Sequence, residues 1–406
     1  MTCTIISKMR KRLVNSNIKS TLRLAGGMSV ACASAVLSSH VHAFTVGTIE
    51  NTTFKIGGYI KLDAMFSQYS DGTLDARNLG RDFYVPALTP VGGEDENMQF
   101  DMHARQTRFN FGSESTIDGH TLKTFIEMDF MATPNGDERI SNSYSPRIRH
   151  AFLTYDNWLF GQTWSTFQNV GSLPETIDFI GNTDFGIFVR QAQIRYTNGP
   201  WQFAIENPES TITPFGGGGR IVSDDNSMPD FVGRYNLSAN GLSLTIAALA
   251  RELAYSEGAD YDESTSSFGL SVTGKWMLGK NDIRFGVNSG SGMGRYIGLN
   301  VSNGAVMNAE GELEAIDSTA YYVAYRHLWS EKSRSNISYS IIDIDNDTDL
   351  TGVGATDTSA SLRVNFIYSP ISNLDLGVEL ARADRELESG VDGSMTRFQF
   401  AAKLAF

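Results

Sequence analysis

The sequence predicts an all-β fold, a 16-stranded antiparallel transmembrane β-barrel with short periplasmic turns, long external loops and a third loop folded inward. Three observations predict it. The last ten residues, Arg397 to Phe406, alternate in polarity, with Phe398, Phe400, Ala402, Leu404 and Phe406 on one parity. That period of two marks a strand with one apolar face. At a rise of roughly 3.3 Å per residue and a tilt of about 40°, ten residues cross a hydrocarbon layer roughly 25 Å thick. Fifteen earlier segments alternate in the same way, and the links between them alternate short and long. Turns at one end and loops at the other are the asymmetry of an outer-membrane wall.

In chain order, residues 1–43 read as a cleaved signal peptide. Lys8, Arg10, Lys11, Arg12, Lys19 and Arg23 form a basic region without an acid, Leu24 to Leu37 is apolar and rich in small residues, and Val41-His42-Ala43 supplies a cleavage site. Both cysteines, Cys3 and Cys32, fall in this leader, so the remaining chain owes nothing to disulfides. Residues 44–53 are expected to be a short periplasmic N-terminal segment and 54–406 the barrel. Its strands are read near 54–66, 99–111, 120–130, 147–155, 157–165, 188–196, 200–207, 230–237, 241–251, 268–277, 282–289, 318–328, 334–342, 358–368, 373–382 and 397–406. The short links carry tight-turn chemistry, as at Asp118-Gly119, Asp156-Asn157, Asn198-Gly199 and Asn240-Gly241. The long ones include 67–98, 166–187, 208–229, 252–267, 290–317 and 383–396. Phe406 is expected to be the signal that the barrel-assembly machinery reads.

The two strand faces differ in kind. Leu122, Ile126, Met128 and Phe130 oppose Lys123, Glu127 and Asp129; Ile283, Phe285 and Val287 oppose Asp282, Arg284 and Asn288. A packed interior could not bury so many charges without large cost, whereas a wall with lipid outside and water inside can carry them, and sixteen strands leave an aqueous lumen. Tyr and Trp near the segment ends suit interfacial girdles. The leader takes 6 of the 33 basic residues and none of the 46 acids, leaving a net charge of −19, which excludes nucleic acid as a partner. Of the 27 remaining cations 20 are arginines, many within strands, while acids crowd the loops. Arginine presents a planar fork matched to carboxylate and stays charged, so an arginine-lined narrowing should admit small anions. The competing reading pairs these arginines with Glu127, Asp129, Glu206, Asp375 or Glu379. Arg147 and Arg149, two apart and on one face, are the expected carboxylate-binding step. The segment Thr166 to Gly186 is expected to fold inward, with Glu175 and Asp178 facing the arginines across the aperture; a loop at a subunit contact or outside is the alternative.

The runs GYIKLD (58–63), HARQTRF (103–109), FIEMDF (125–130), RIRHA (147–151), GQTWSTF (161–167), Pro174-Glu175-Thr176, GSGMGRY (290–296) and YRHLW (325–329) resemble the DcaP-like trimeric porins of Gram-negative outer membranes, over essentially the whole chain after the leader. The resemblance implies a 16-stranded homotrimer in the outer membrane, surrounded by lipid and lipopolysaccharide, that passes small anionic solutes, notably dicarboxylates. It also implies an arginine cluster at the narrow zone, here Arg105, Arg108, Arg147, Arg149 and Arg195. Arg105 and Arg108 have opposite parity, so both face the lumen only if a bulge intervenes. Several members carry a long N-terminal coiled-coil extension, for which Phe44 to Thr53 leaves no room.

Other chemistry is not expected. His103, His120, His150 and His327 lack metal-ligand spacing and no nucleophile motif accompanies them, so neither an enzyme, a cofactor nor a metal centre is predicted. Asp343, Asp345, Asp347 and Asp349 resemble the start of a calcium loop, but Thr348 and Gly354 stand where the turn glycine and bidentate glutamate belong. A general-diffusion porin and a receptor or adhesin barrel are the rival functions.

Overall fold

The computed structural model describes residues 44–133, 140–258 and 261–406; the expected signal peptide, residues 1–43, lies outside them. Among the described residues sixteen strands form one antiparallel sheet that closes on itself. They are β1 (Thr52–Tyr69), β2 (Gln99–His103 continued by Arg108–Ile117), β3 (His120–Asp129), β4 (Arg147–Tyr155), β5 (Trp158–Trp164), β6 (Arg190–Asn198), β7 (Trp201–Glu206) and β8 (Asp230–Ala239). The second half comprises β9 (Leu242–Glu257), β10 (Tyr261–Leu278), β11 (Asn281–Ser291), β12 (Asp317–Leu328), β13 (Ser333–Asp345), β14 (Thr356–Ile371), β15 (Leu374–Leu387) and β16 (Asp392–Ala405). A further strand, Phe44–Ile49, folds back on the start of β1 as a hairpin.

Closure is made by β16 against β1, in register from Tyr59 opposite Ala405 to Tyr69 opposite Met395. Phe406 extends the seam: its amide donates to the Gly58 carbonyl at 3.0 Å, and the Gly58 amide donates back at 3.1 Å. Its ring lies 6.0 Å from that of Phe109 on β2. Gly58 has a φ of 152°, and a side chain there would run into the Arg108 carbonyl oxygen, so only glycine lets β1 hold both neighbours at this point.

Alternation decides the two faces. Phe109, Ile126, Leu153, Phe203, Ile246, Leu270, Val323, Val364 and Leu380 are exposed on the outside, where lipid covers them. Inward neighbours such as Asn110, Glu127, Thr245, Arg363 and Glu379 are buried by loops that enter the barrel. The turns use the residues their geometry demands. Asp118 and Gly119, and Asn240 and Gly241, all have positive φ, as a two-residue hairpin of matching twist requires.

Two expected loops are strands. Residues 252–257, 261–267, 383–387 and 392–396 continue β9, β10, β15 and β16 past the lipid, with Glu252 opposite Ser266 and Ala254 opposite Ser264. Beyond the hydrocarbon no apolar outer face is needed, so the ladder persists where the sequence signal of alternation has gone.

The interior is extensively filled. Segments after β1, β5, β7 and β11 all enter it. Ser210–Thr213, Ile221–Ser223, Ala305–Met307 and Leu313–Ala315 pair into a small second sheet, seated on Leu253 through Ile212, Ala305, Met307 and Leu313. Phe167, Phe185, Met293, Tyr296, Ile297 and Val301 pack with Ala320, Tyr322 and Ile342 of the wall. Sequence reading expected one inward segment, Thr166 to Gly186, and did not foresee the others.

Because Phe406 closes the seam through its backbone and a ring contact, Phe406→Ser should keep the strand register yet lower the yield of assembled barrel severalfold. Heat-modifiable migration on gels and outer-membrane fractionation report this; wild-type levels of assembly would remove any role for the aromatic ring.

Candidate functional site

The inward segment leaves β5 at Trp164 and returns at Arg190, and it is bonded to the wall along its length. Arg234 on β8 donates to the Gln168 carbonyl at 2.8 Å and Asn169 donates to Thr273 on β10 at 3.0 Å. Tyr322 on β12 donates to the Ser172 carbonyl at 2.5 Å. Glu175 accepts from Arg334 Nε on β13 at 2.7 Å, and Glu379 on β15 accepts from the Ile177 amide at 2.8 Å.

Asp178 is the centre of this attachment. Its carboxylate accepts from the amides of Tyr84, Ile180 and Gly181 at 3.0 to 3.1 Å and lies 4.0 Å from Arg363 and 3.9 Å from Arg397. Burial pushes its carboxyl up, but Arg363, Arg397 and the amides of Tyr84 and Gly181 outweigh burial and hold it below the usual aspartate range. Asp184, fully buried, accepts from Tyr84, Ser340, Ser359 and Ser361 at 2.5 to 2.9 Å.

Five arginines gather on the opposite side, on and beside β2, β4 and β6. The ladder of β2 is interrupted at 104–107, and the outward parity switches from Phe100 and Met102 to Phe109 and Phe111. That interruption is the bulge which sets Arg105 and Arg108 on the same side. A second bulge makes Arg149 the extra residue between His150, opposite Glu127, and Ile148, opposite Met128.

Arg105 is paired with Asp82 from the first inward segment and lies 4.1 Å from the Tyr144 ring centre. Arg147 donates to Asp129 at 2.7 Å; Arg149 donates to Glu127 at 2.7 Å and Asp129 at 2.9 Å. Arg108 sits 3.7 Å from Glu127. Arg190 stacks on Trp164 and Phe188, at 4.5 and 5.0 Å, close enough to Arg149, Arg147 and Arg108 to feel their charges. Among the described residues Arg190 has no ion pair, and its Nη1 is buried without a hydrogen-bond partner. Five guanidiniums thus share Asp82, Glu127 and Asp129, a surplus of two positive charges.

The face opposite these arginines is aromatic. Phe179, next to Asp178, places its ring centre 5.7 to 5.8 Å from the guanidinium carbons of Arg108, Arg147 and Arg149. It packs on Phe83 at 5.1 Å and Phe188 at 5.5 Å.

The structure therefore brings together Arg105, Arg108, Arg147 and Arg149, and places Arg195, Glu175 and Asp178 elsewhere. Glu175 and Asp178 do not face that cluster as expected, because the buried Arg363 and Arg397 and the half-buried Arg334 draw them to the opposite wall. Arg195 faces inward three residues before the end of β6, opposite Leu159 and Ala204. Arg382, one of the strand arginines, points outward and pairs with Asp384 at 2.8 Å. Arg190 and Asp82 were not expected at the site; the signal that could have found Arg190 is its place as the first strand residue after the inward segment, mirroring Trp164. Among the described residues no group of three or more ligating side chains could hold a metal; Asp347 instead caps a short turn, accepting from the Asp349 amide at 3.0 Å.

A closed antiparallel wall with an apolar exterior, a charged interior and an inward segment that narrows it defines an outer-membrane channel. The sequence profile of the DcaP outer membrane protein family matches residues 100–406, and the chain belongs to that family. Among solved structures it is similar to the outer membrane channel DcaP of Acinetobacter baumannii, at 22% identity and a TM-score of 0.72, over 88% of this chain and 98% of that one. The anion-selective porin of Comamonas acidovorans shares the fold at 11% identity and TM-score 0.56, over 87% of this chain and 100% of that one. The trimer form of OmpT of Vibrio cholerae does so at 12% identity and TM-score 0.54, over 88% and 100%. No curated protein matches the chain.

Asp178 gives the site a pH dependence of definite sign. A carboxyl held below its unfolded value stabilises the docked segment fully above about pH 3.9 and loses that contribution as pH falls through the lowered value. Conductance should stay flat from neutral pH to about pH 4 and rise only below it. Asp178→Asn leaves Arg363 and Arg397 short of a buried partner, a loss on the order of 3–5 kcal/mol, and should raise single-channel conductance already at pH 7. Equal conductance of variant and wild type at that pH would show that the carboxylate does not hold the segment.

Proposed function

We propose that the channel passes small anions, above all dicarboxylates, through a throat lined by the arginines of β2, β4 and β6, which the ring of Phe179 braces. The surplus of positive charge at Arg105, Arg108, Arg147, Arg149 and Arg190 carries this reading. Arg147 and Arg149 are braced by Asp129 and Glu127; Arg149 is buried, and the part-exposed Arg147, together with Arg190 and Arg108, makes the carboxylate-binding edge. Each such bond in contact with water contributes on the order of 1 kcal/mol, weak enough for release, as conduction requires. The anion selectivity of the Comamonas porin is in keeping with this reading, and the trimer of OmpT with a homotrimeric assembly. We further infer that residues 1–43 are a cleaved leader, that the barrel-assembly machinery inserts the chain, and that lipid and lipopolysaccharide surround the wall.

Reversal potentials under a salt gradient test the reading. Wild type should favour chloride over potassium. Arg190→Gln removes a charge that no carboxylate cancels and should lower that preference by about fivefold, the equivalent of roughly 1 kcal/mol, with the barrel intact. Wild-type preference for cations would overturn the proposal.

A further inference from the structure

A second group of cations lies far along the wall from the throat arginines, near the short turns. Arg195 on β6, Arg234 on β8, Lys275 on β10, Arg284 on β11 and Arg326 on β12 stand two to five residues from the turn ends of their strands. On each of these strands a residue of the other parity, Ile194, Leu237, Trp276, Val287 or Val323, is exposed on the lipid side, so all five side chains point into the lumen.

Among the described residues one carboxylate is bonded within this row. Asp282, fully buried, accepts from Arg284 at 2.7 Å and lies 2.8 Å from Arg326. Arg234 is held by neutral groups, the Gln168 carbonyl at 2.8 Å and Asn236 at 2.8 Å. Glu206, the acid in reach of Arg195, is already taken by the Thr166 amide at 2.7 Å and by Gln191 at 2.6 Å. Lys275 and Arg195 have no hydrogen bond or ion pair among the described residues. Lys275 is also directly opposite Arg284 across the β10–β11 ladder, and like charges in that position destabilise a sheet. The part of the inward segment lying over the row, Gln168 to Leu173, contains no acid.

Arg234 and Arg284 hold the inward segment through the Gln168 and Leu173 carbonyls, but no such bond accounts for Arg195 or Lys275. Asp282 offsets the charge of Arg284 and Arg326 and so part of the repulsion on Lys275, while the ammonium of Lys275 itself has no bonded carboxylate among the described residues. We propose that this row is a second carboxylate-binding station at the periplasmic mouth, in series with the throat. An anion leaving the guanidiniums of β2, β4 and β6 meets either Arg195 or Lys275, four strands apart on the wall, before it enters the periplasm. Two weak sites in line lower the barrier between them and keep each one easy to vacate. The inference rests on the anion-channel reading and adds to it a place and a direction.

The test is single-channel recording of the full protein with succinate added to one face at a time. Lys275→Gln with Arg195→Gln should raise the concentration for half-block from the short-turn face about fivefold, since the solvent-screened contact of roughly 1 kcal/mol that an anion makes at either place is lost. Block from the loop face and the sign of the reversal potential should stay as in wild type. Lys275→Arg with Arg195→Lys, which keeps both charges, should retain turn-face block, and heat-modifiable migration confirms that each variant is folded. If wild type prefers anions and the Gln variant is blocked from the turn face as wild type is, the second station falls and the throat proposal stands. If wild type shows no anion preference and no block from either face, both fall together.

Discussion

A backbone amide or carbonyl facing hydrocarbon without a partner costs several kcal/mol, and that penalty shapes every level of this molecule. It forbids a free strand edge in lipid, so β16 must return to β1, and Gly58 and Phe406 complete the ladder at the point where β1 also meets β2. It requires an unbroken ladder across the hydrocarbon, with side chains alternating between lipid and lumen. Irregular backbone is consequently confined to the two ends of the wall and the interior. The bulges at 104–107 and at Arg149 are tolerated because their freed groups find partners inside: the Phe130 amide donates to the Arg105 carbonyl at 3.0 Å.

Once the wall is closed, its inner face poses the opposite problem. Arg363 and Arg397 are almost fully buried, and a buried cation persists only when paired and hydrogen-bonded. The inward segment solves this by bringing Asp178 and by placing its own amides on Glu379. The same carboxylates that neutralise the wall therefore fix the path of the segment, leaving Phe179 as the group that reaches the arginines of β2 and β4. Position and charge are linked: an acid on this segment cannot both anchor the far wall and face the throat.

The wall was legible in the sequence because lipid imposes a period of two on one face, and all sixteen segments correspond to strands. The overlong hairpins of β9 with β10 and β15 with β16 were not, since Ser264 or Ser394 pairs through its backbone without any pattern of side chains to announce it. The interior was partly legible. Strand spacing put Arg147 and Arg149 on one face with Glu127 and Asp129 as possible partners, whereas Arg105 and Arg108, of opposite parity, were joined to them only by the family resemblance and need the interruption at 104–107. The wall partners of Glu175, Asp178 and Asp184 could not be read, because they lie on β13 to β16, more than 150 residues away in sequence, and no local rule sets which side of a lumen a loop approaches.

The aromatic face of the throat has an electrostatic consequence that a carboxylate face would not. A ring attracts a guanidinium through its quadrupole and contributes about 0.5–2 kcal/mol, but it carries no net charge. Phe179 beside Arg108, Arg147 and Arg149, and Trp164 and Phe188 beside Arg190, thus restrain these side chains while leaving their positive charge in place. Glu127 and Asp129 set the register of the guanidiniums from the wall side; the rings hold them from the lumen side. Had Asp178 stood where Phe179 does, one of the two surplus charges of the arginine cluster would be cancelled. The clamp on the far wall, by consuming the acids of the inward segment, is what allows the throat to stay positive.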